Sequence, residues 1–354
     1  MVDNRGCEHF IRGSLGLPES AIVRVELLFK GGSDRSFYRV RTDDQQSFVF
    51  MHYNPERKEN NYYAAIAEFL HGIDVSVPRI IRHDPDKCFI LMQDLGGTDL
   101  WSLRQLPWEQ RRTLYRKTLD LVARLHAFPL ESFPGGIIQL MEPFEQSLYQ
   151  WERNYFREHF VERICNVRLS VPSGEALKTE LTSLAGRLEQ GPRSLVHRDL
   201  QSKNIIVVMG ESVLIDFQGM RFGNPLYDLG SLLYDPYVQL TDNERMDLLS
   251  YYYGISHLAM EWEEFQRTFH EASAQRLMQA LGAFGFLGGV RGLHDFMAYI
   301  PQGLENLISA STNAGSLLNL PALALHCKKK LRPGFDLAPS CSKDEIYDNR
   351  GHES

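Results

Sequence analysis

The sequence predicts an α+β chain in two lobes, a small β-rich one followed by a larger, mostly helical one. Three observations predict it. Residues 22–53 hold three runs dominated by aromatic and β-branched residues, AIVRVELLF, SFYRVRT and SFVFMHY, with partial alternation. Beyond Gly97 apolar residues fall at helical spacing instead, in WEQRRTLYRKTLDLVARLHAF, FEQSLYQWERNYFREHF and GEALKTELTSLAGRLEQG. Two short β-like runs joined by MGES follow, and the chain then reads as helix from about 241 to 331.

Within the first lobe, the turn KGGSDRS separates the first two strands. ERKENNYYAAIAEFLHG is its principal helix, with Gly72 at the end, and VPRIIRHD leads into the strand CFILMQDLGG. Residues 1–95 thus form the β lobe, with a hinge near 92–97. Residues 98–331 form the helical lobe, and 332–354 a polar tail bearing Pro and Gly. The stretch LMQALGAFGFLGGVRGLHDFMAYI is interrupted by Arg291, His294 and Asp295, so it reads as a buried helical region and not a membrane span. Its glycines 282, 285, 288 and 289 are expected to let helices approach closely.

At 354 residues, with 43% hydrophobic and 23% charged residues, the chain can bury a sizeable core. A formal charge of −7 and only short basic clusters, RSFYR and KKK, argue against nucleic acid as a partner. The five cysteines are scattered, odd in number and without C-x-x-C, which reads as reduced thiols and not as a disulfide framework or zinc site. The start, MVDNRGCEHF, has no apolar signal-peptide core. A cytoplasmic monomer with no membrane association is expected.

The chemistry concentrates in LVHRDLQSKNII. His197, Asp199 and Asn204 stand as H-x-D-x-x-x-x-N, and Asp216 follows in LIDFQ. An Asp, an Asn five residues on, and a second Asp beyond a short hairpin can converge on one point. Two oxygen ligands there suit Mg²⁺, which keeps water and phosphate as its other ligands. The remaining Asp can accept a hydroxyl proton, completing the division of labour that phosphoryl transfer requires.

HRDLQSKNI followed by LIDFQ resembles the catalytic loop and metal motif of the protein-kinase-like fold. GNPLYDLGSLL narrows the resemblance to the aminoglycoside phosphotransferase and choline kinase family, which phosphorylates small molecules. The likeness covers roughly residues 22–310, with LLFKGGSDRSFYRV as phosphate-covering hairpin and FILMQDLGG as hinge. Within that family, HRDLQSKN, IDFQ and LLYDPYV are most similar to bacterial anomeric amino-sugar kinases. Those phosphorylate the C1 hydroxyl of N-acetylmuramate or N-acetylglucosamine during cell-wall recycling.

The resemblance implies ATP and Mg²⁺ as cofactors, and a nucleotide and a small acceptor as partners. It makes Asp199 the catalytic base and Asn204 and Asp216 the metal ligands, with Lys203 placing charge near the transferring phosphoryl group. The backbone of Gly31, Gly32, Ser33, Asp34, Arg35 and Ser36 would cover the phosphates, and that of Gln93, Asp94 and Leu95 would meet the adenine edge. Asp228 would brace the catalytic loop, and His197 would bond loop backbone. Arg221, Tyr234, Asp235 and Tyr237 are the acceptor-pocket candidates.

One departure stands out. Relatives carry a strand-three lysine that pairs with the phosphates and a helix glutamate, but SFVFMHY has Met51 or His52 there. Glu59 or Glu68 would be the helix acid, and Lys58, Arg57 or Arg35 could supply the cation. The amino-sugar kinases also tend to lack this lysine. Two other readings stay open: an aminoglycoside or choline-type kinase with an acidic acceptor pocket, and a nucleotide-binding regulator with little turnover. Of the remaining candidates, His126 is expected in the core, and His71, His83 and His159 on the surface. The stripe Tyr149, Trp151, Tyr155, Phe156 and Phe160 is expected in the core, and Glu142, Glu145, Glu152 and Glu158 on a solvated face.

Overall fold

The computed structural model describes residues 4–30 and 35–331. Gly31 to Asp34 and the tail from 332 lie outside the described residues. The chain forms two compact units. Of the described residues, the first comprises those up to 143 with 192–228 and 241–259, the second 144–191, 229–240 and 260–331.

The first unit opens with a helix the strand-like composition around it concealed, α1 (Asn4–Leu15). The sheet is antiparallel, formed by β1 (Val23–Lys30), β2 (Arg35–Thr42), β3 (Ser47–Tyr53), β4 (Ile80–Asp84) and β5 (Phe89–Gln93), in the order β1-β2-β3-β5-β4. Alternation gives each strand two faces. Val40, Phe50, Phe89 and Leu91 form one core with Cys7, Phe10 and Ile11 of α1. Met51, Ile90 and Met92 point the other way, where the Tyr63 hydroxyl of α2 (Lys58–Gly72) donates to Met92 Sδ at 3.7 Å.

Past the hinge, α3 (Trp108–His126) packs against α7 (Asp242–Ile255). Arg111 pairs with Glu244 and Arg112 with Asp247, each at 2.7 Å, and Thr241 and Glu244 cap α7 reciprocally. Two small sheets hold the motif residues. β6 (Ser194–Val196) pairs with β9 (Arg221–Gly223), and β7 (Ile205–Val208) with β8 (Glu211–Leu214). Met209 and Gly210 turn the β7–β8 hairpin with φ of 52° and 79°, the two positive values a tight hairpin turn demands. The hairpin is anchored on both sides. Leu100 N–H donates to the Ile205 carbonyl at 2.9 Å, Val207 N–H to the Thr98 carbonyl at 2.8 Å, and Leu214 N–H to the Ser76 carbonyl at 2.9 Å.

The helix α6 (Leu226–Leu233) begins in the first unit and ends in the second. The second unit is otherwise helical: α4 (Gln146–Phe156), α5 (Val171–Gln190), α8 (Trp262–Gly289), α9 (Ile300–Asn313) and α10 (Asn319–Lys330). The glycines of α8 act as expected. A Cβ at Gly282 would lie 2.8 Å from the Tyr155 ring, and one at Gly285 only 2.3 Å from the His159 carbonyl oxygen. Gly285→Ala should therefore destabilise by about 1–3 kcal/mol or more. Gly254→Ala, on α7 with no atom within 4 Å of the new Cβ, should instead stabilise by up to about 1 kcal/mol. Urea unfolding midpoints compare the two, and equal effects would mean the α8 contact can relax.

The aromatic stripe splits. Tyr149, Phe156 and Phe160 are buried, whereas Trp151 is exposed and stacks on Tyr155 at 5.0 Å. Glu152, expected on a solvated face, is instead fully buried and accepts from Gln275 at 2.9 Å. Cys88, Cys165 and Cys327 are free thiols, Cys7 is buried, and Cys341 lies outside the described residues. No described helix is long and apolar enough to cross a membrane.

Candidate active site

The catalytic loop leaves β6 at Val196 and turns sharply, with Arg198 at φ 78°. An L-residue in that left-handed region is strained and persists only where its surroundings impose it. Asp228 imposes it. One carboxylate oxygen accepts from the Arg198 backbone at 2.8 Å; the other accepts from the His197 backbone at 2.6 Å and from His126 Nε2 at 3.1 Å. Asn224 fixes Asp228 in turn, since its Oδ1 accepts from Leu226 N–H at 3.0 Å and starts α6, with Pro225 between. His126 lies in the core with both ring nitrogens engaged, Nδ1 with the Tyr252 hydroxyl at 2.7 Å. Burial, reinforced by the charge of Asp228, pushes the Tyr252 phenol far up, so it stays protonated. The buried His197 ring donates from Nε2 to the Ile215 carbonyl at 3.0 Å, joining the catalytic loop to the segment after β8 that carries Asp216.

Three of the predicted residues come together here. Asn204 Nδ2 donates to the Asp199 carbonyl at 2.9 Å, and Ile215 N–H donates to the Asn204 carbonyl at 3.0 Å. The short turn SKN and the β7–β8 hairpin thus set Asp199, Asn204 and Asp216 around one corner. Asp216 sits at φ 64°, and its Oδ1 accepts from Gln218 at 2.9 Å and from Arg35 at 2.5 Å. Burial by itself would raise the Asp216 carboxyl, but the Arg35 charge and the bonds from Arg35 and Gln218 outweigh it and hold it below the usual carboxylate range. The donor set fits a hard cation. With Nδ2 committed to Asp199, Asn204 keeps its amide oxygen as a ligand, and Asp216 adds a carboxylate. Among the described residues no three His, Cys, Asp or Glu side chains gather into a metal cage. Two protein oxygens suit Mg²⁺, which retains waters and phosphate oxygens.

Lys203 Nζ lies 4.8 Å from the centre of the Trp101 ring, a cation–π contact that Arg104 makes on the same indole at 4.0 Å. Trp101 was not singled out from sequence, and nothing in WSLRQL distinguishes it from a core tryptophan. Arg221 is buried on β9, with Nε donating to the Gly219 carbonyl at 3.1 Å.

Gly31, Gly32, Ser33 and Asp34 of the phosphate-covering turn lie outside the described residues, and Arg35 and Ser36 open β2. At the hinge, Gln93 N–H already donates to the Arg79 carbonyl at 2.9 Å. The Asp94 carboxylate is tied to Arg39 at 2.7 Å, Ser47 at 2.5 Å and Gly96 N–H at 2.9 Å. The Asp94 side chain thus shapes the hinge, and Leu95 is half-buried beside it. At the strand-three position Met51 is fully buried, and His52 lies edge-on to Phe89 at 5.5 Å. Glu68 is exposed, and Glu59 lies 3.7 Å from Arg57.

The remaining acceptor-pocket candidates belong to the second unit. Tyr234 is buried, stacked on Phe269 at 5.6 Å, with its hydroxyl 3.2 Å from His270 Nδ1. Asp235 accepts from Tyr237 N–H at 2.9 Å, and the Tyr237 ring lies edge-on to Tyr299 at 4.4 Å.

Comparison with known proteins gives this arrangement its context. The sequence profile of the phosphotransferase enzyme family matches residues 27–266. The chain is 26% identical over 309 residues to the N-acetylmuramate/N-acetylglucosamine kinase of Neisseria meningitidis serogroup B, covering 85% of this chain and 90% of that protein. It is 25% identical over 305 residues to the like-named kinase of Pseudomonas aeruginosa, covering 84% and 87%. Among solved structures, choline kinase LicA from Streptococcus pneumoniae superposes with a TM-score of 0.56 at 16% identity, covering 88% of this chain and 99% of that one. The streptomycin–ATP–APH(2")-IIa ternary complex superposes at 0.57 and 15% identity, covering 79% and 90%. At such identities the structural likeness establishes the fold, which is the two-lobed protein-kinase-like one.

Proposed function

This chain belongs to the phosphotransferase enzyme family, and we propose that it is an ATP- and Mg²⁺-dependent kinase acting on the anomeric hydroxyl of N-acetylmuramate or N-acetylglucosamine. One observation supports the choice of sugar: both relatives above, each matched over more than four-fifths of this chain, are named N-acetylmuramate/N-acetylglucosamine kinase. That acceptor places the reaction in cytoplasmic recycling of cell-wall amino sugars.

The residues divide the work. Asp199 orients the acceptor hydroxyl and takes its proton as the oxygen attacks the γ-phosphorus and ADP leaves. Asn204 and Asp216 present the two oxygen ligands, and Asp228 holds the loop on which Asp199 stands. Mg²⁺, when bound, neutralises charge across the nucleotide phosphates. The backbone of Asp94 and Leu95 meets the adenine edge, and Arg221 contributes to acceptor recognition. Catalysis of this kind is positioning and charge stabilisation.

The test is ADP release from ATP and Mg²⁺ with N-acetylmuramate, N-acetylglucosamine, other hexoses, aminoglycosides and choline. A phosphate on C1 blocks ring opening, so the expected product loses its reducing end in step with ADP formed. Turnover with choline or an aminoglycoside alone would move the acceptor to the other branch of the family. Nucleotide binding without turnover on any acceptor would favour a regulator.

A further inference from the structure

Arg35 and Asp216 stand 181 positions apart, yet the guanidinium donates to the carboxylate at 2.5 Å. The two side chains differ in exposure, 8% for Arg35 against 31% for Asp216. A guanidinium so deeply buried is costly without an anion beside it. The anion it has found is the carboxylate that the site would offer to a metal cation.

The sheet register explains why this arginine reaches that point. Arg35 pairs with Tyr53 and Phe37 pairs with Met51. Residues two apart on a strand share a face, so Arg35 stands one diagonal from Met51, about 7–8 Å away. An extended arginine spans that distance. Met51, where a lysine is expected, is apolar and buried, Glu59 of α2 lies beside Arg57, and Glu68 of α2 is exposed. The α2 side is filled instead by Tyr63, whose ring lies 4.6 Å from that of Phe217. The cation of this cleft therefore comes from β2 and not from β3.

We propose that Arg35 is the phosphate-binding cation of the nucleotide site, paired with Asp216 in this structure and passed to the polyphosphate when the metal–nucleotide arrives. The assignment rests on the phosphotransferase reading of the site. A metal ion on Asp216 and a guanidinium on the same carboxylate repel each other. Arg35 then needs a different anion, and the polyphosphate enters with the metal. Its planar fork matches two phosphate oxygens at once. The exchange needs only side-chain rotation, because β2 is held by β1 and β3.

Calorimetric titration of Mg·ADP into the wild-type protein, Arg35→Ala and Arg35→Lys tests this, with thermal melts to confirm folding. Arg35→Ala is expected to weaken binding about 10- to 100-fold, and Arg35→Lys to recover much of it. The KM for the acceptor should stay within about threefold in both, the span of context effects. Should Arg35→Ala not fold, Arg35→Gln, which keeps hydrogen bonding but no charge, is expected to show the same weakening. Undiminished or tighter Mg·ADP binding in the uncharged variants would overturn the assignment, since Arg35 would then only plug the metal carboxylate. Failure of the wild-type protein to bind Mg·ADP would overturn the phosphotransferase reading and this assignment together.

Discussion

Asp199→Asn is expected to lower kcat by about 10²- to 10⁴-fold, the range for losing a positioned general base. The amide is nearly isosteric but cannot take the acceptor proton. The fold should survive the change, because the bonds through the Asp199 carbonyl, His197 and Arg198 that shape this loop are left in place. Mg·ADP affinity should change by less than about threefold, because the proposed metal ligands are Asn204 and Asp216. Steady-state ADP release with the best acceptor, beside calorimetry, separates the two effects. A kcat within about tenfold of wild type would remove Asp199 from the chemistry.

Asp228→Ala is expected to cost about 3–5 kcal/mol of stability, the range for breaking a buried charge network from one side. The carboxylate is fully buried and accepts two backbone N–H groups and the His126 ring. Without it those donors face each other with no acceptor, and nothing offsets the strained backbone of Arg198 at φ 78°. Activity should fall with stability, because Asp199 follows directly after Arg198. Asp228→Asn retains one carbonyl oxygen but turns an N–H toward donors, so it should lose less stability and still lose turnover. Urea unfolding with parallel assays decides the point. A loss below about 1 kcal/mol for Asp228→Ala would mean that water replaces the carboxylate and that the loop does not depend on it.

Much of the site was legible because its spacing is local. His197, Asp199 and Asn204 lie within eight residues, and the hairpin that brings Asp216 back is announced by MGES between two apolar runs. The strands of residues 22–53 and the helices beyond 108 were legible for the same reason, since period 2 and period 3.6 are properties of neighbouring residues. The signal for α1 was also present, with Cys7, Phe10, Ile11 and Leu15 at helical spacing. It was lost because a short helix with Gly13 inside it gains its stability from the sheet it covers.

What the sequence by itself determined is the order of elements, the chemistry of the catalytic loop and the absence of a lysine from β3. What only the tertiary structure decided is which distant groups meet. Arg35 was one of three candidate cations until the register of β2 against β3 set it on the face that reaches Asp216. Asp228 was a brace in name until its carboxylate was seen to gather two backbone amides and a histidine 102 residues away. The buried Glu152 was indistinguishable from its solvated neighbours until α8 supplied Gln275. Periodicity says which face of an element is apolar. The partner across that face is chosen by register and packing, and these are settled by the whole chain at once.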